Sequence, residues 1–398
     1  MIRRIDPVAL SGAAVAAASL LFGFVQYRPN RLSSGTPMPL WHVATPIEVV
    51  VFAAVLAAAI AVELSTRSGF IRERRVALRG LLGNGVISLA IVIDAVNAER
   101  LIPAGVPFGR ISLAPGLWLA VLGGYILILS SLNKLERGTV LRYLVSLLSI
   151  AVLIALAAAG EFGHLSLYQE YIVRSTRFSQ QFATHMALSL GATGLAVVVG
   201  IPLGLWAFRR EKAERPIFLV VNTVQTIPSL ALFGLMIAPL SYLSHRFATL
   251  RALGIEGIGW APALIALTLY ALLPIVRNTY TSMKVLDPAV VEAGKGMGMG
   301  RRQIMFRIEI PLSTPIILGG LRTSLVQAIG NTTVAALIGA GGFGIFIFQG
   351  LGQAVPDLIL LGTIPVIALA VVVDKLMEVL IRVVTPTGMR IASTEVHA

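Results

Sequence analysis

Cysteine is absent from this chain of 398 residues, and charged residues are scarce at 13%. Without cysteine the chain has no disulfide, no thiolate ligand for zinc or an iron–sulfur cluster and no thiol nucleophile. Soluble domains carry about 25% charged residues. Because this chain has half that share and is 56% hydrophobic, its composition predicts a protein that lies in a membrane.

Apolar runs that approach the roughly 20 residues needed to cross a bilayer occur ten times in the sequence. The candidate spans are residues 8–27, 46–64, 81–96, 111–132, 139–160, 182–208, 216–240, 261–276, 314–338 and 358–383. The first run follows Arg3 and Arg4 as in a signal peptide, but no small-residue cleavage site comes after it. We therefore expect a retained helix and an all-α, polytopic membrane protein of about ten transmembrane helices.

The basic residues are distributed unevenly among the loops. If the N-terminus is cytoplasmic, 21 Lys and Arg residues fall in inside loops and 8 in outside loops. Cytoplasmic loops carry the excess of such residues. The pattern predicts a bacterial inner-membrane protein with both termini in the cytoplasm, and it accounts for the formal net charge of +13 without nucleic acid as a partner.

The chain also divides along its length. Residues 161–181 mix apolar and charged side chains and predict an amphipathic segment at the outer interface. Before it lies a five-helix extension, residues 1–160, and after it a second group of helices, residues 182–385, followed by a cytoplasmic tail, residues 386–398. The second group has prolines inside its helices. Such breaks are tolerated where neighbouring helices or cavity water satisfy the backbone, so they indicate either a transport pathway or ordinary kinked packing.

The longest interruption of the second group is a predicted cytoplasmic loop, residues 282–312. Asp287 followed by Pro288 is a typical helix start. Four glycines follow at alternate positions: Gly294, Gly296, Gly298 and Gly300. Because each glycine costs about 1 kcal/mol relative to alanine in a helix, this short helix is weak alone, and we expect a partner protein to hold it.

This loop resembles the "EAA" coupling loop of ABC importer permeases, in which E-A-A is followed by a glycine and then by I-x-L-P. The matching residues are Glu292, Ala293, Gly298, Ile308 and Pro311. Gly294 stands in place of the third alanine and Ile310 in place of the leucine. The resemblance implies that the loop docks on an ATPase subunit and transmits its motion.

Further segments, residues 200–204, 225–233, 273–280 and 335–344, are similar to permeases of the glycine betaine, choline and related osmoprotectant importers. The resemblance covers roughly residues 178–384, and the first five helices resemble the long variant of that group. It implies the type I (MetI-like) permease fold and uptake of a quaternary or betaine-like amine. It also implies four kinds of partner: two ATPase subunits, a second permease subunit that is identical or a shorter paralogue, a periplasmic binding protein and the lipid bilayer. ATP and Mg²⁺ would belong to the ATPase, so this chain is expected to have no cofactor, metal or catalytic residue.

Polar residues beside a proline form the candidate substrate pathway: Gln225, Thr226, Pro228 and Ser229. They could line the pathway or bond to neighbouring helices. Aromatic faces attract cationic amines, and four rings are available for this, although the sequence does not bring them together: Phe233, Trp260, Tyr270 and Tyr280.

Some signals favour other classes of protein. The segment 339–344 matches G-x-G-x-x-G but lacks the strand and the acidic residue of a dinucleotide site, so we expect a close-packed or irregular turn. Asp94 is the one carboxylate noted well inside a span, a weak case for a proton relay. The five histidines lack metal-ligand spacing and are expected at interfaces or in solvent. An ion-coupled secondary carrier of small amines is the alternative function, and a polytopic membrane enzyme is a third.

Overall fold

The computed structural model describes residues 6–64, 72–106, 108–136 and 140–386. Several residues that entered the topology argument lie outside this part of the chain: Arg3, Arg4, Arg67, Arg137, Arg390 and all but the first residue of the tail 386–398. The chain divides into two compact units. Unit 1 comprises the described residues of Met1–Val173 with Gln353–Asp357, and unit 2 those of Arg174–Gly352 with Leu358–Ala398. The boundary between Val173 and Arg174 lies within the predicted amphipathic segment, residues 161–181.

Unit 1 contains seven helices and three strands among its described residues. The helices are α1 Pro7–Ala18, α2 Leu40–Val43, α3 Pro46–Leu64, α4 Arg72–Asn97, α5 Pro115–Leu132, α6 Val140–Ala159 and α7 Ser166–Val173. The strands are β1 Gly23–Arg28, β2 Thr36–Pro39 and β3 Arg110–Leu113, which form one antiparallel sheet in the order β2-β1-β3. α4 packs against α3, α5 and α6, and α1 packs against α3 and α5.

The predicted first span is wrong in its second half. Helix α1 ends at Ala18, a 3₁₀ turn covers Ser19–Leu21, and the chain then enters β1. The run Gly23–Arg28 has aromatic and β-branched residues, which favour a strand, and β1 finds partners on both edges. Hydropathy does not separate this strand from the helix because the apolar run continues through Phe24 and Val25.

Helices of unit 2 carry the numbers α8 to α17. They are α8 Ser175–Arg209, α9 Glu211–Thr226, α10 Ser229–Arg246, α11 Ala248–Ala252, α12 Trp260–Lys284, α13 Pro288–Gly296, α14 Arg301–Ile304, α15 Ile310–Ala335, α16 Gly344–Gln353 and α17 Pro356–Val384. A π-helical turn, Met305–Glu309, precedes α15, and a 3₁₀ turn, Ala336–Ile338, follows it. α12 is central and packs against α8, α9, α10 and α15.

Small residues allow the closest helix contacts of unit 2. Gly200 and Gly204 form a G-x-x-x-G pair on α8, a spacing that lets helix backbones approach in membranes. A Cβ at Gly204 would lie 2.8 Å from the carbonyl oxygen of Val276 and 2.7 Å from Cβ of Thr279. The segment 200–204 is thus explained by its packing on α12.

The predicted span 216–240 is not one helix. α9 and α10 meet at Ile227–Pro228 with a bend of 106°, because proline lacks an N–H and restricts the preceding residue. Within the described residues, eight helices are long and apolar enough to cross a membrane, or nine if this bent pair is one span, and the segment Pro7–Leu21 is shorter. The helical, polytopic membrane fold is confirmed, and the sheet of unit 1 is an addition to it.

Candidate functional site

Helix α13 begins as its sequence predicts. Asp287 is the N-cap, and its Oδ1 accepts a hydrogen bond from the backbone N–H of Ala289 at 2.9 Å. Pro288 occupies the first helical position, where its missing N–H has no intrahelical role. The start of α13 is therefore fixed by local chemistry.

The end of α13 depends on Gly298. The N–H of Gly298 donates to the carbonyl oxygen of Lys295 at 2.9 Å, and the N–H of Met299 donates to that of Gly294 at 3.1 Å. These two bonds form a Schellman motif, whose C′ residue adopts the left-handed conformation. Gly298 has φ +79°, a region that glycine enters without the penalty that a Cβ brings. The motif glycine therefore terminates the helix.

One face of α13 is buried against the turn that follows. Gly294 is buried, and a Cβ added there would lie 2.7 Å from Cδ1 of Ile308. Ile304 is also buried, 5% exposed. Glycine in place of the third alanine thus lets α13 lie close to the I-x-I-P segment.

The opposite face of α13 is open. Glu292 and Ala293 are exposed, and Val290 and Met297 expose 40% and 74% of their surfaces. Spaced three and four residues apart, Val290, Ala293 and Met297 form one apolar stripe, with Glu292 beside it. Within the described part of the chain Glu292 has no hydrogen bond or ion pair. Methionine is enriched at protein interfaces, so this face has the character of a docking surface.

The predicted coupling loop, residues 282–312, is joined directly to two membrane helices. Its π-helical turn runs without a break into α15 through Pro311. Arg209, at the end of α8, donates to Glu309 of the same turn at 3.2 Å. A groove of about 350 Å³ lies beside α13, with Phe208, Val291 and Glu292 among its lining residues. Displacing α13 would therefore act on both α8 and α15.

The candidate pathway residues lie at the bend between α9 and α10. Gln225 Nε2 donates to the backbone oxygen of Tyr270 on α12, and the Tyr270 hydroxyl donates to the backbone oxygen of Ile227. Thr226 is exposed, and its hydroxyl donates to Thr223 within its own helix. Pro228 is exposed and Ser229 half-buried. Gln225 is thus a brace for the bend, whereas the other three are available to line a pathway.

The four aromatic rings do not meet. Phe233 and Tyr270 belong to the buried core of unit 2, while Tyr280 packs edge-on against Phe218. Trp260 and Tyr280 stand at opposite ends of α12, about 30 Å apart at 1.5 Å per residue. The fold of one chain therefore does not bring these four rings together.

The glycine-rich segment 339–344 forms a tight turn between α15 and α16. Gly339, Gly341 and Gly342 all have φ between +78° and +89°. His185 is fully buried beneath this turn: its Nε2 bonds to the oxygen of Ile329, and its Nδ1 accepts from the N–H of Phe343. The irregular turn is as expected, but the interfacial or solvated environment expected for His185 is wrong.

Asp94 is not the one carboxylate well inside a predicted span. Arg322 on α15 donates two bonds to Asp374 on α17, at 2.6 and 2.7 Å. Asp374 is visible in the sequence as an acidic residue within the predicted span 358–383, but the sequence does not show that Arg322 is its partner. Asp94 is 1% exposed, and neither carboxylate oxygen has a partner among the described residues.

A buried ionic cluster joins four helices of unit 1. Arg79 donates two bonds to Glu63, at 2.6 and 2.7 Å, and one to Asp6 at 2.6 Å. Lys134 and Ser130 also donate to Asp6. Burial alone raises the pKa of Asp6, but the bonds from Lys134 and Ser130 and the charge of Arg79 outweigh it and lower the pKa to about 2. The carboxylate is therefore ionised at neutral pH.

A second cluster in unit 1 includes residues from a distant part of the sequence. Glu170 is 1% exposed and accepts from Arg31 and Arg110, each at 2.7 Å. The hydroxyl of Ser112 on β3 donates to Asp357 at 2.6 Å, and both side chains are buried. The segment 353–357 belongs to unit 1. This bond joins residues that are 245 positions apart in the sequence, so a local pattern does not predict it.

Two family models match the chain. Residues 196–386 match the binding-protein-dependent transport system inner membrane component, and residues 4–168 match the N-terminal domain of ABC transporter permease YehY. The first match contains the coupling loop and the second ends near the boundary of unit 1.

Similar proteins match about half of the chain. The osmoprotectant import permease protein OsmW of Salmonella typhimurium is 41% identical over 52% of this chain and 91% of its own length. The choline permease OpuBB and the glycine betaine/carnitine/choline permease OpuCB of Bacillus subtilis are 39% and 40% identical, each over 52% of this chain and 88% of its own length. A solved inward-facing MetNI methionine ABC transporter covers 52% of this chain and 96% of its own at 20% identity, with a TM-score of 0.47. The chain belongs to the family of binding-protein-dependent transport system inner membrane components, together with these osmoprotectant and choline permeases.

Proposed function

We propose that this chain is the permease subunit of an ATP-driven importer that takes up glycine betaine or a related quaternary amine. The observation that carries the proposal is α13 with its exposed Glu292 and its Gly298 cap, in a chain that is about 40% identical to osmoprotectant permeases over 52% of its length. The bacterial inner membrane with both termini in the cytoplasm is the location that fits the loop charges. The chain itself performs no hydrolysis in this proposal.

In this mechanism the part that moves is the predicted coupling loop, residues 282–312. A periplasmic binding protein delivers the amine, and two ATPase subunits bind ATP and Mg²⁺ and close on the exposed face of α13. Because α13 packs on the turn that continues into α15, and Arg209 holds this turn to α8, closure moves both helices. A second permease subunit, identical or a shorter paralogue, completes the pathway, with Thr226, Pro228 and Ser229 facing it.

The test is ATP-dependent uptake of radiolabelled glycine betaine into proteoliposomes that contain this chain, its ATPase and its binding protein. Glu292→Ala should abolish uptake or weaken ATPase association, with an unchanged melting temperature, since Glu292 bonds to no described residue. Glu256→Ala is the matched control, because Glu256 is also exposed but lies in a predicted outside loop.

Each alternative has its own outcome. Uptake of choline or carnitine but not betaine would support the ATP-driven importer and show that the proposed substrate is wrong. Uptake driven by an ion gradient with no ATPase, and indifferent to Glu292, would replace the proposal with an ion-coupled carrier.

A further inference from the structure

A groove of about 700 Å³ lies between the end of α8 and the first half of α9. This volume is within the range of ordinary ligand pockets, roughly 300–1,000 Å³. Its walls are almost entirely apolar, with Leu203, Trp206, Ile217 and Val220 among them. Trp206 and Val220 expose 55% and 62% of their surfaces, so the groove opens at the side of unit 2.

The two cations of the groove are at one end of it. Arg210 follows the last residue of α8 and Lys212 lies in the first turn of α9, and both are exposed. Leu203, Trp206 and Arg210 lie three and four residues apart, on one face of the chain as it leaves α8. From Arg210 to Leu203 the groove therefore extends about 10 Å along the helix axis. The groove is charged at the junction of α8 and α9 and apolar further along α8.

These two cations have no acidic partner in the part of the chain that the structure describes. Within the described residues, no carboxylate lies at salt-bridge distance from Arg210 or Lys212, although Glu211 and Glu214 are close in sequence. Arg209, by contrast, is paired with Glu309. The end of the groove that carries these two unpaired positive charges would attract an anion, and the apolar walls would bind a hydrocarbon chain.

We infer that the groove binds an anionic phospholipid of the cytoplasmic leaflet. Its phosphate contacts Arg210 and Lys212, and its acyl chain lies along Leu203, Ile217 and Val220. Basic pockets between membrane helices on the cytoplasmic side bind anionic headgroups in this way, and tryptophan is enriched at that depth. A second copy of the chain fits less well, because packing the same faces together would bring like charges into contact.

Tryptophan quenching tests the inference in the full chain. Of the four tryptophans, Trp41, Trp118 and Trp260 are changed to phenylalanine, which leaves Trp206 as the reporter. In nanodiscs, brominated phosphatidylglycerol should quench Trp206 more than brominated phosphatidylcholine at equal mole fraction. Arg210→Gln with Lys212→Gln should remove this preference, with a loss of about fivefold per cation.

The control is Arg246→Gln with Arg251→Gln, which removes two exposed cations near the predicted outside loop and should leave the preference unchanged. Thermal unfolding of both variants confirms that they fold, as expected for exposed side chains. Equal quenching by the two lipids, or a preference that survives loss of Arg210 and Lys212, would overturn the inference. Absence of quenching by either lipid would overturn it too and point to a second copy over the groove.

Discussion

Replacing Gly298 with alanine should damage the coupling loop, although alanine favours helices and the position is exposed. Gly298 has φ +79°, and an L-residue in this left-handed region costs about 1–2 kcal/mol. That cost shifts the balance between the capped and the frayed helix end by a factor of about 5–30. The Schellman bonds from the N–H groups of Gly298 and Met299 would open first.

Gly296 is the matched control, two residues away on the same helix. Its φ is not in the left-handed region, and an added Cβ would meet nothing within 4 Å. Gly296→Ala should therefore stabilise α13 by about 0.5–1 kcal/mol. Two alanine substitutions in one short segment are thus expected to have opposite signs. Gly298→Asn should lie between them, since asparagine tolerates the left-handed region better than alanine.

Two measurements check this prediction. Hydrogen exchange should become faster at the amides of residues 298 and 299 in Gly298→Ala and remain slow in Gly296→Ala. ATP-driven uptake in proteoliposomes should fall only in the first variant. If both variants lose uptake equally with unchanged exchange, the glycines serve close contact with a partner, and the argument from backbone conformation is refuted.

Three other predictions concern the body of the protein. Arg322→Asp should lower the melting temperature in detergent, and the swap Arg322→Asp with Asp374→Arg should recover part of the loss; no recovery would mean that the pair is not a direct contact. Asp6 has a pKa lowered from 3.8 to about 2, so its carboxylate contributes about 2 kcal/mol to the free energy of unfolding above pH 4, and this is lost as pH falls toward 2. The Asp6→Asn variant keeps the cap, and its melting temperature should lack this pH dependence. A pH profile identical to that of the unchanged protein would contradict the assignment. Gly344→Ala would place a Cβ 1.8 Å from a backbone oxygen and should cost several kcal/mol, whereas Gly352→Ala on the same helix meets nothing within 4 Å; equal melting temperatures for the two would refute the packing argument.

Local chemistry made the coupling segment predictable. The N-cap at Asp287 is a property of adjacent residues, and it lies where the sequence places it. The same is true of the long apolar helices, since their length reflects the bilayer. Sequence spacing does not predict where a segment changes its conformation. The strand that begins at Gly23 and the bend at Pro228 each lie inside a segment that was predicted as a single apolar span.

The sequence also did not predict which polar side chains pair with one another. Arg79, Glu63 and Asp6 each stand near the end of an apolar run, where charges are common, and only the packing of α1 and α4 against α3 brings them together. His185 was expected at an interface because histidine is polar, yet two backbone partners satisfy both of its ring nitrogens. Burial of polar groups depends on partners that are distant in sequence.

The bond between Ser112 and Asp357 has a consequence for synthesis of the chain. Ribosomes add roughly 5–20 residues per second, so Asp357 emerges about 10–40 s after Val173. During that interval the first 173 residues are present while Ser112 lacks its acceptor, and unit 1 reaches its final form only when most of the second half has been made. A fragment that stops at Val173 would remain in this intermediate state, because it lacks the segment Gln353–Asp357 that belongs to unit 1.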